Sequence, residues 1–315
     1  MTPVDIGDRL AAIVPAPPGQ RLLHHRGATL TGTFRGSESA ASFSTAAVFS
    51  GASIPVTARF SGTRGHTHDA GTGDQGLSVR FRPAGAEPTD LIAFTLPVFF
   101  VRTGAHMLEF LTAVTPASGA EHPEALAAFR RRHPESAAAL DASAEGPPAG
   151  YLGQRYHAVH AFGMTAPDGV TTWVRFEWHP DVLEERLDPG DAALLPPDYL
   201  TAGLADRLPA RLTLHARLPR IGDALHDPTA RWADPPHLVA LGTLMLETCT
   251  GDEDLDFDPL RLAAGITAPR DQLAADRSTA YRAARTRRRA AAGVDPPAAQ
   301  EHPPIPSNSP SQEKP

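Results

Sequence analysis

Residues 54–60 read IPVTARF, with apolar Ile54, Val56, Ala58 and Phe60 alternating with Pro55, Thr57 and Arg59. A period of two sends alternate side chains to opposite faces of a strand. One face therefore goes to a core, and the other carries Arg59 and, two positions on, Ser61. The same signal predicts strands at 28–34, 77–81 and 97–102, and in the second half at 157–164, 171–178 and 212–218. The run 238–246 fits a strand or a helix. Helical spacing predicts helices at 106–114, 123–132, 191–205 and 271–289. Many strands, a helical insertion and a terminal helix predict an α+β fold, an antiparallel β-barrel with helices packed outside it.

The 315 residues suffice for a sizeable core, and 41% are hydrophobic. No apolar run reaches the ~18 residues of a membrane span. The opening MTPVDIGDRL has acids where a signal peptide carries basic residues, which predicts a soluble, cytoplasmic protein. Cys249 is the single cysteine, which excludes disulfides within the chain, Cys-rich zinc sites and iron–sulfur ligation. The only lysine is Lys314, so a phosphate-loop lysine and a buried Schiff-base lysine are excluded as well. A net charge of -7 argues against nucleic acid as the partner. From about residue 291 the chain is rich in Pro, Ser and Gln, which predicts a body at 1–290 and a disordered tail at 291–315. The Pro/Gly/Ala-rich stretch 138–150 reads as a surface connection between two halves.

Three apparent motifs fail on context. GTGDQG, residues 71–76, fits the dinucleotide pattern but precedes a strand instead of opening a helix. DLDFD, residues 254–258, begins like a calcium loop, but Pro259 replaces the turn glycine and Gly265 the final glutamate. GHTHD, residues 65–69, has metal-ligand types in a glycine-rich loop, where histidines are more often solvated.

A further stretch raises a chemical question. In DRSTAYRAARTRRR, residues 276–289, Arg277 stands four before Tyr281 and Arg288 seven after it, so all three project from one side of a helix. Tyrosine titrates near ~10 in water and ligates metals poorly while protonated. An arginine at its oxygen, together with a metal cation, favours the phenolate, and tyrosinate ligation of haem iron is one of the few uses of such a pair. The alternative is a basic surface helix with an incidental tyrosine.

The surrounding blocks resemble the haem-catalase family: GQRLLHHRG (19–27), PVTARFSG (55–62), LPVFFVRT (96–103), YHAVHAFGM (156–164) and LDFDPLRLAAGI with DRSTAY and RRR at the end. They occur in the family's order over residues 19–289. The lack of a long N-terminal arm and of C-terminal extensions resembles the compact catalase-related peroxidases. The resemblance implies an eight-stranded barrel with a C-terminal haem-ligating helix, and haem b as the cofactor. It makes Tyr281 the iron ligand and Arg277 its charge partner, and it places Arg21, Arg59 and Arg288 at the haem propionates. The residues of HHRG alone leave His24 and His25 as rivals for the distal acid–base role; the block alignment selects His24, with Ser61 as its hydrogen-bond partner. Phe100 and Met107 fall on the cofactor-binding surface, Met107 where the family has a phenylalanine stacked on the haem.

One departure concerns activity. Catalases keep an asparagine just before the Pro-x-Phe-Phe block, whereas this chain reads AFTLPVFF, with Phe94 and Thr95. The missing amide implies a peroxidase that reduces hydrogen peroxide or organic hydroperoxides with small organic reductants and has weak catalase activity at most. In that mechanism His24 shuttles a proton between the two peroxide oxygens. Two alternatives share these residues: rearrangement of fatty-acid hydroperoxides, and a haem-binding barrel without turnover. The lack of the arm implies a monomer or homodimer. Five arginines at 282–289 are explained by propionate pairing and solvation.

Overall fold

The computed structural model describes residues 3–14, 16–62, 68–71, 73–115, 123–141, 146–251, 255–291 and 293. Among these, the strands are β1 (Gly27–Gly36), β2 (Ser53–Gly62), β3 (Gln75–Phe81), β4 (Thr89–Phe94), β5 (Tyr156–His157), β6 (Phe162–Thr165), β7 (Thr171–Pro180), β8 (Ala210–Leu218), β9 (His237–Gly251) and β10 (Ile266–Thr267). Each of β1–β4 pairs antiparallel with the next, and β4 pairs β5, β5 pairs β7, β7 pairs β8, β8 pairs β9 and β9 returns to β1. That circuit is a closed eight-stranded barrel, and β6 and β10 extend from β7 as a spur. The helices are α1 (Pro3–Ile13), α2 (Glu38–Phe43), α3 (Gly104–Val114), α4 (Pro123–Arg132), α5 (Pro134–Asp141), α6 (Pro189–Ala192), α7 (Tyr199–Ala202) and α8 (Gln272–Ala291).

The alternation in β2 does what the sequence requires. Ile54, Val56, Ala58 and Phe60 are buried in the barrel core, with Leu30, Phe34, Leu77, Phe81 and Trp178. Phe34 meets Phe81 edge-on at 5.0 Å, and Phe81 stacks on Trp178 at 6.3 Å. The interior is thus packed solid, each large side chain contributing ~1.5–3 kcal/mol by burial. The opposite face of β2–β4 meets a second apolar cluster built from α3, α4, α8 and the segment after β4. α1 packs on α8 and α3.

Several expectations need correction. Residues 97–102 form no strand: Pro97 lacks an N–H to donate, and the segment turns, with Phe99 N–H bonding Pro228 O at 2.8 Å. The fourth strand is instead β4, TDLIAF, buried on both faces and therefore without alternation to read. The single strand expected at 157–164 is two short ones, β5 and β6, with the chain leaving the ladder between them. The helix expected at 191–205 is only α6 and α7, interrupted by Pro196 and Pro197. The run 238–246 lies within β9. α1 was not anticipated, although Ile6, Leu10 and Ile13 have helical spacing. The connection at 138–150 begins as the end of α5. Apart from Ala291, the last residue of α8, and Gly293, the expected tail lies outside the described residues, as does His66 of the GHTHD stretch. No helix among the described residues is long and apolar enough to cross a membrane.

Candidate active site

Between the outer face of β2–β4 and the helices α1, α3 and α8 lies a cavity of about 390 Å³. All nine residues singled out in the sequence line it: Arg21, His24, Arg59, Ser61, Phe100, Met107, Arg277, Tyr281 and Arg288. His25, the rival of His24, is not among its lining residues. Apolar walls come from Ile92 and Phe94 of β4, Leu96 and Phe99 after it, Leu108 and Phe110 of α3, and Ile6 and Leu10 of α1.

Register explains the polar side. Arg59 pairs with Ser78, Ser61 with Gly76, and Gly76 with Phe94, so these outward positions share one face. His24 enters from the segment before β1. Its φ is 55°, the left-handed region, and it is the only non-glycine with positive φ among the described residues. Such a backbone costs ~1–3 kcal/mol and persists only where neighbours fix it. Arg59 Nη1 donates to His24 O at 2.9 Å, and His24 Nδ1 lies 3.0 Å from Ser61 Oγ. Gly76 completes the seat: a Cβ there would stand 3.2 Å from Ser61 Oγ and 3.3 Å from His24 Cε1. His24 is half-buried, with the cavity as its open side. Burial first, then the charges of Arg59, Arg277 and Arg21, push its imidazole down to about 3, so it is neutral at physiological pH.

On the helix side, Arg277 is 7% exposed and its Cζ lies 5.8 Å from the Tyr281 ring centroid. Arg277 Nη1 bonds His160 Nε2 at 2.8 Å, and His160 Nδ1 bonds Asp271 Oδ2 at 2.9 Å. Arginine only donates, so His160 Nε2 accepts and Nδ1–H donates to the carboxylate, which fixes the tautomer. Asp271 Oδ1 also accepts from Ala274 N–H at 2.9 Å, capping α8. Burial is the leading cause that holds the His160 imidazole below its ordinary value. This relay was missed in the sequence, although YHAVHAFGM contains His160. The break between β5 and β6 is what carries that histidine to Arg277.

The segment LDFDPLR is anchored by Asp90 of β4, which accepts from Arg80 Nε at 2.7 Å, Arg261 Nη1 at 2.5 Å and Asp258 N–H at 2.9 Å. It brings Leu255, Asp256 and Phe257 to the cavity wall, and Arg21 Nη2 bonds Leu255 O at 2.6 Å. Asp258 accepts from Ser278 Oγ at 2.7 Å, locking α8 to this segment. Arg285 pairs with Asp256 at 2.5 Å, and Arg288 is buried at 6% exposure, so the basic run is partly internal. At the departure from the family pattern, Phe94 faces the cavity with its ring 5.7 Å from that of His24. Thr95 Oγ1 instead accepts from Gln75 N–H at 3.1 Å.

Residues 16–210 match the family model described as Catalase. The chain is 31% identical over 295 residues to the catalase-related peroxidase of Mycolicibacterium paratuberculosis, spanning 90% of this chain and 93% of that protein. It is 30% identical to the catalase-related peroxidase of Synechococcus elongatus, over 84% of this chain and 81% of that one. A fungal catalase crystal structure superposes with a TM-score of 0.77 at 18% identity, covering 89% of this chain and 61% of the fungal one, which supports the barrel fold. With the family model spanning most of the barrel and the relatives nearly the whole chain, the chain belongs to the catalase family, among its catalase-related peroxidases, and is an oxidoreductase acting on peroxide.

Proposed function

We propose that the cavity holds haem b and that the enzyme reduces hydrogen peroxide or organic hydroperoxides with small organic electron donors. Catalase-family proteins are typically haem proteins, and the residues here fit that group. Arg277 Nη2 is buried with no hydrogen-bond partner among the described residues, beside the Tyr281 ring. An orphaned guanidinium nitrogen is costly, and an anionic phenolate oxygen is the partner it suits. Arg21, Arg59 and Arg288 supply three cations around one apolar cavity, matching a flat apolar group with two carboxylates. Bound there, haem would supply the redox chemistry of peroxide reduction.

In this reading Tyr281 provides the iron ligand, and Arg277, held by His160 and Asp271, sustains its charge. His24 is the proton carrier. Ser61 engages Nδ1, which leaves Nε2 to take a proton from one peroxide oxygen and return it to the leaving oxygen. Its depressed pKa keeps the imidazole neutral and able to accept. Phe94 offers no amide to orient a second peroxide, which favours organic donors over peroxide itself as the reductant. The observation that carries the reading is the convergence of the His24–Ser61 pair and the Tyr281–Arg277 pair on one cavity.

The test is a visible spectrum of the purified protein, followed by turnover of hydrogen peroxide with and without an aromatic donor. A haem spectrum that changes in Tyr281→Phe, with turnover that needs the donor, is expected. Tyr281→Phe with unaltered pigment would sink the ligand assignment, and equal turnover without donor would sink the peroxidase assignment. A lipid hydroperoxide converted without donor to a rearranged product would point to the isomerase alternative.

A further inference from the structure

Away from the cavity wall, α3, α4 and α5 meet at a second cluster. His106 lies in the first turn of α3, His133 is the single residue between α4 and α5, and Glu135 lies in the first turn of α5. One ligand-type atom from each lies within 4.8 Å of the others. The imidazoles are in contact, with ring centroids 4.3 Å apart.

Two details go beyond proximity. His133 Nε2 is 3.0 Å from Glu109 Oε2, and Arg132 Nε donates to the other carboxylate oxygen at 2.9 Å. A carboxylate fixed in this way takes the Nε2–H and leaves Nδ1 with its lone pair. That Nδ1 lies 3.9 Å from Glu135 Oε1. A carboxylate behind an imidazole, with the other nitrogen facing further ligands, is the outer arrangement that metal-binding histidines use. Independently, His106 Nδ1 is buried and has no hydrogen-bond partner among the described residues. Leaving such a buried atom unpartnered is costly unless something binds it.

We propose that His106, His133 and Glu135 form a binding site for a divalent transition metal of the zinc class, with Glu109 orienting His133. Two imidazoles and one carboxylate are a zinc donor set, with the fourth tetrahedral position open to water. The site joins α3 to the α4–α5 corner. Because the next residue after His106 is Met107, which lines the large cavity, the bound ion fixes that part of the cavity wall. The site is separate from the haem reading and stands whether or not that reading holds.

The test uses the purified full chain as isolated, treated with EDTA, desalted and titrated with zinc chloride by calorimetry, with metal content read by mass spectrometry. One zinc per chain is expected, together with a higher melting temperature in zinc. His106→Ala and Glu135→Gln, both partly exposed positions, should each weaken binding by ~10-fold or more, and Glu109→Gln by ~10–100-fold. Loss in His106→Ala with a retained melting temperature in the absence of metal separates ligation from misfolding. The absence of saturable binding overturns the proposal, as does binding left unchanged by both His106→Ala and Glu135→Gln.

Discussion

Replacing Asp271 by asparagine probes the relay behind Tyr281. Its two carboxylate oxygens have different duties: Oδ1 accepts from Ala274 N–H at the start of α8, and Oδ2 accepts from His160 Nδ1. An amide can serve only one of them as an acceptor. If its oxygen keeps the cap, its NH2 faces His160, which must then move its proton to Nε2 and confront the Arg277 donor. If its oxygen keeps His160, the cap is lost. Loss of a charged hydrogen bond costs ~1.5–3 kcal/mol and loss of a cap ~0.5–2 kcal/mol. Asp271→Asn is therefore expected to cost about 0.5–3 kcal/mol, against about 2–5 kcal/mol for Asp271→Ala, which loses both interactions. Urea unfolding of the two variants beside the parent measures this, and the visible spectrum reports whether Arg277 keeps its place beside Tyr281. A Asp271→Asn variant within about 0.5 kcal/mol of the parent, with Asp271→Ala clearly destabilised, would refute the donor–acceptor argument.

Three further outcomes follow from the geometry. His24→Ala should lower peroxide reduction by ~10²–10⁴-fold in stopped-flow traces while the cofactor stays bound, because the proton carrier is lost and the walls remain. Acid should destabilise the fold early: His24, held near about 3, and His160, also depressed, refuse protons that the unfolded chain takes up below its ordinary histidine pKa. Stability is then full at neutral pH and falls as pH drops below ~6.5, by up to ~1.4 kcal/mol per pH unit for each such group, and His24→Ala should flatten that slope in urea midpoints. Gly7→Ala should push α1 off α8, since a Cβ there would stand 2.3 Å from Ala283 Cβ, at a cost of ~1–3 kcal/mol and with faster proteolysis of α1.

The residues that line the cavity were easier to read than the scaffold that holds them. Arg59 and Ser61 were legible because strand alternation puts them on one face, and Arg277, Tyr281 and Arg288 because helical spacing does the same. β4 was illegible for the converse reason: with both faces buried, TDLIAF has no alternation. LPVFF imitated a strand because its aromatics line a cavity, so their apolar character comes without a sheet. His160 and Asp271 were hidden by distance, being 111 positions apart and joined only by a break in the barrel ladder. The carboxylate behind His133 likewise comes from another helix, so no local motif announces it.

The closure of the cavity by α1 and α8 has a bearing on how the molecule is made. Ile6, from near the start of the chain, and Arg288, from close to the end of the described helices, border the same space. During synthesis the barrel strands and His24 leave the ribosome well before Tyr281 does. A nascent chain therefore presents an open half-socket with a greasy rim until its last helix emerges, and only then can α1 settle over the completed chamber. The chamber is therefore complete, and any ligand enclosed, only in the final act of folding.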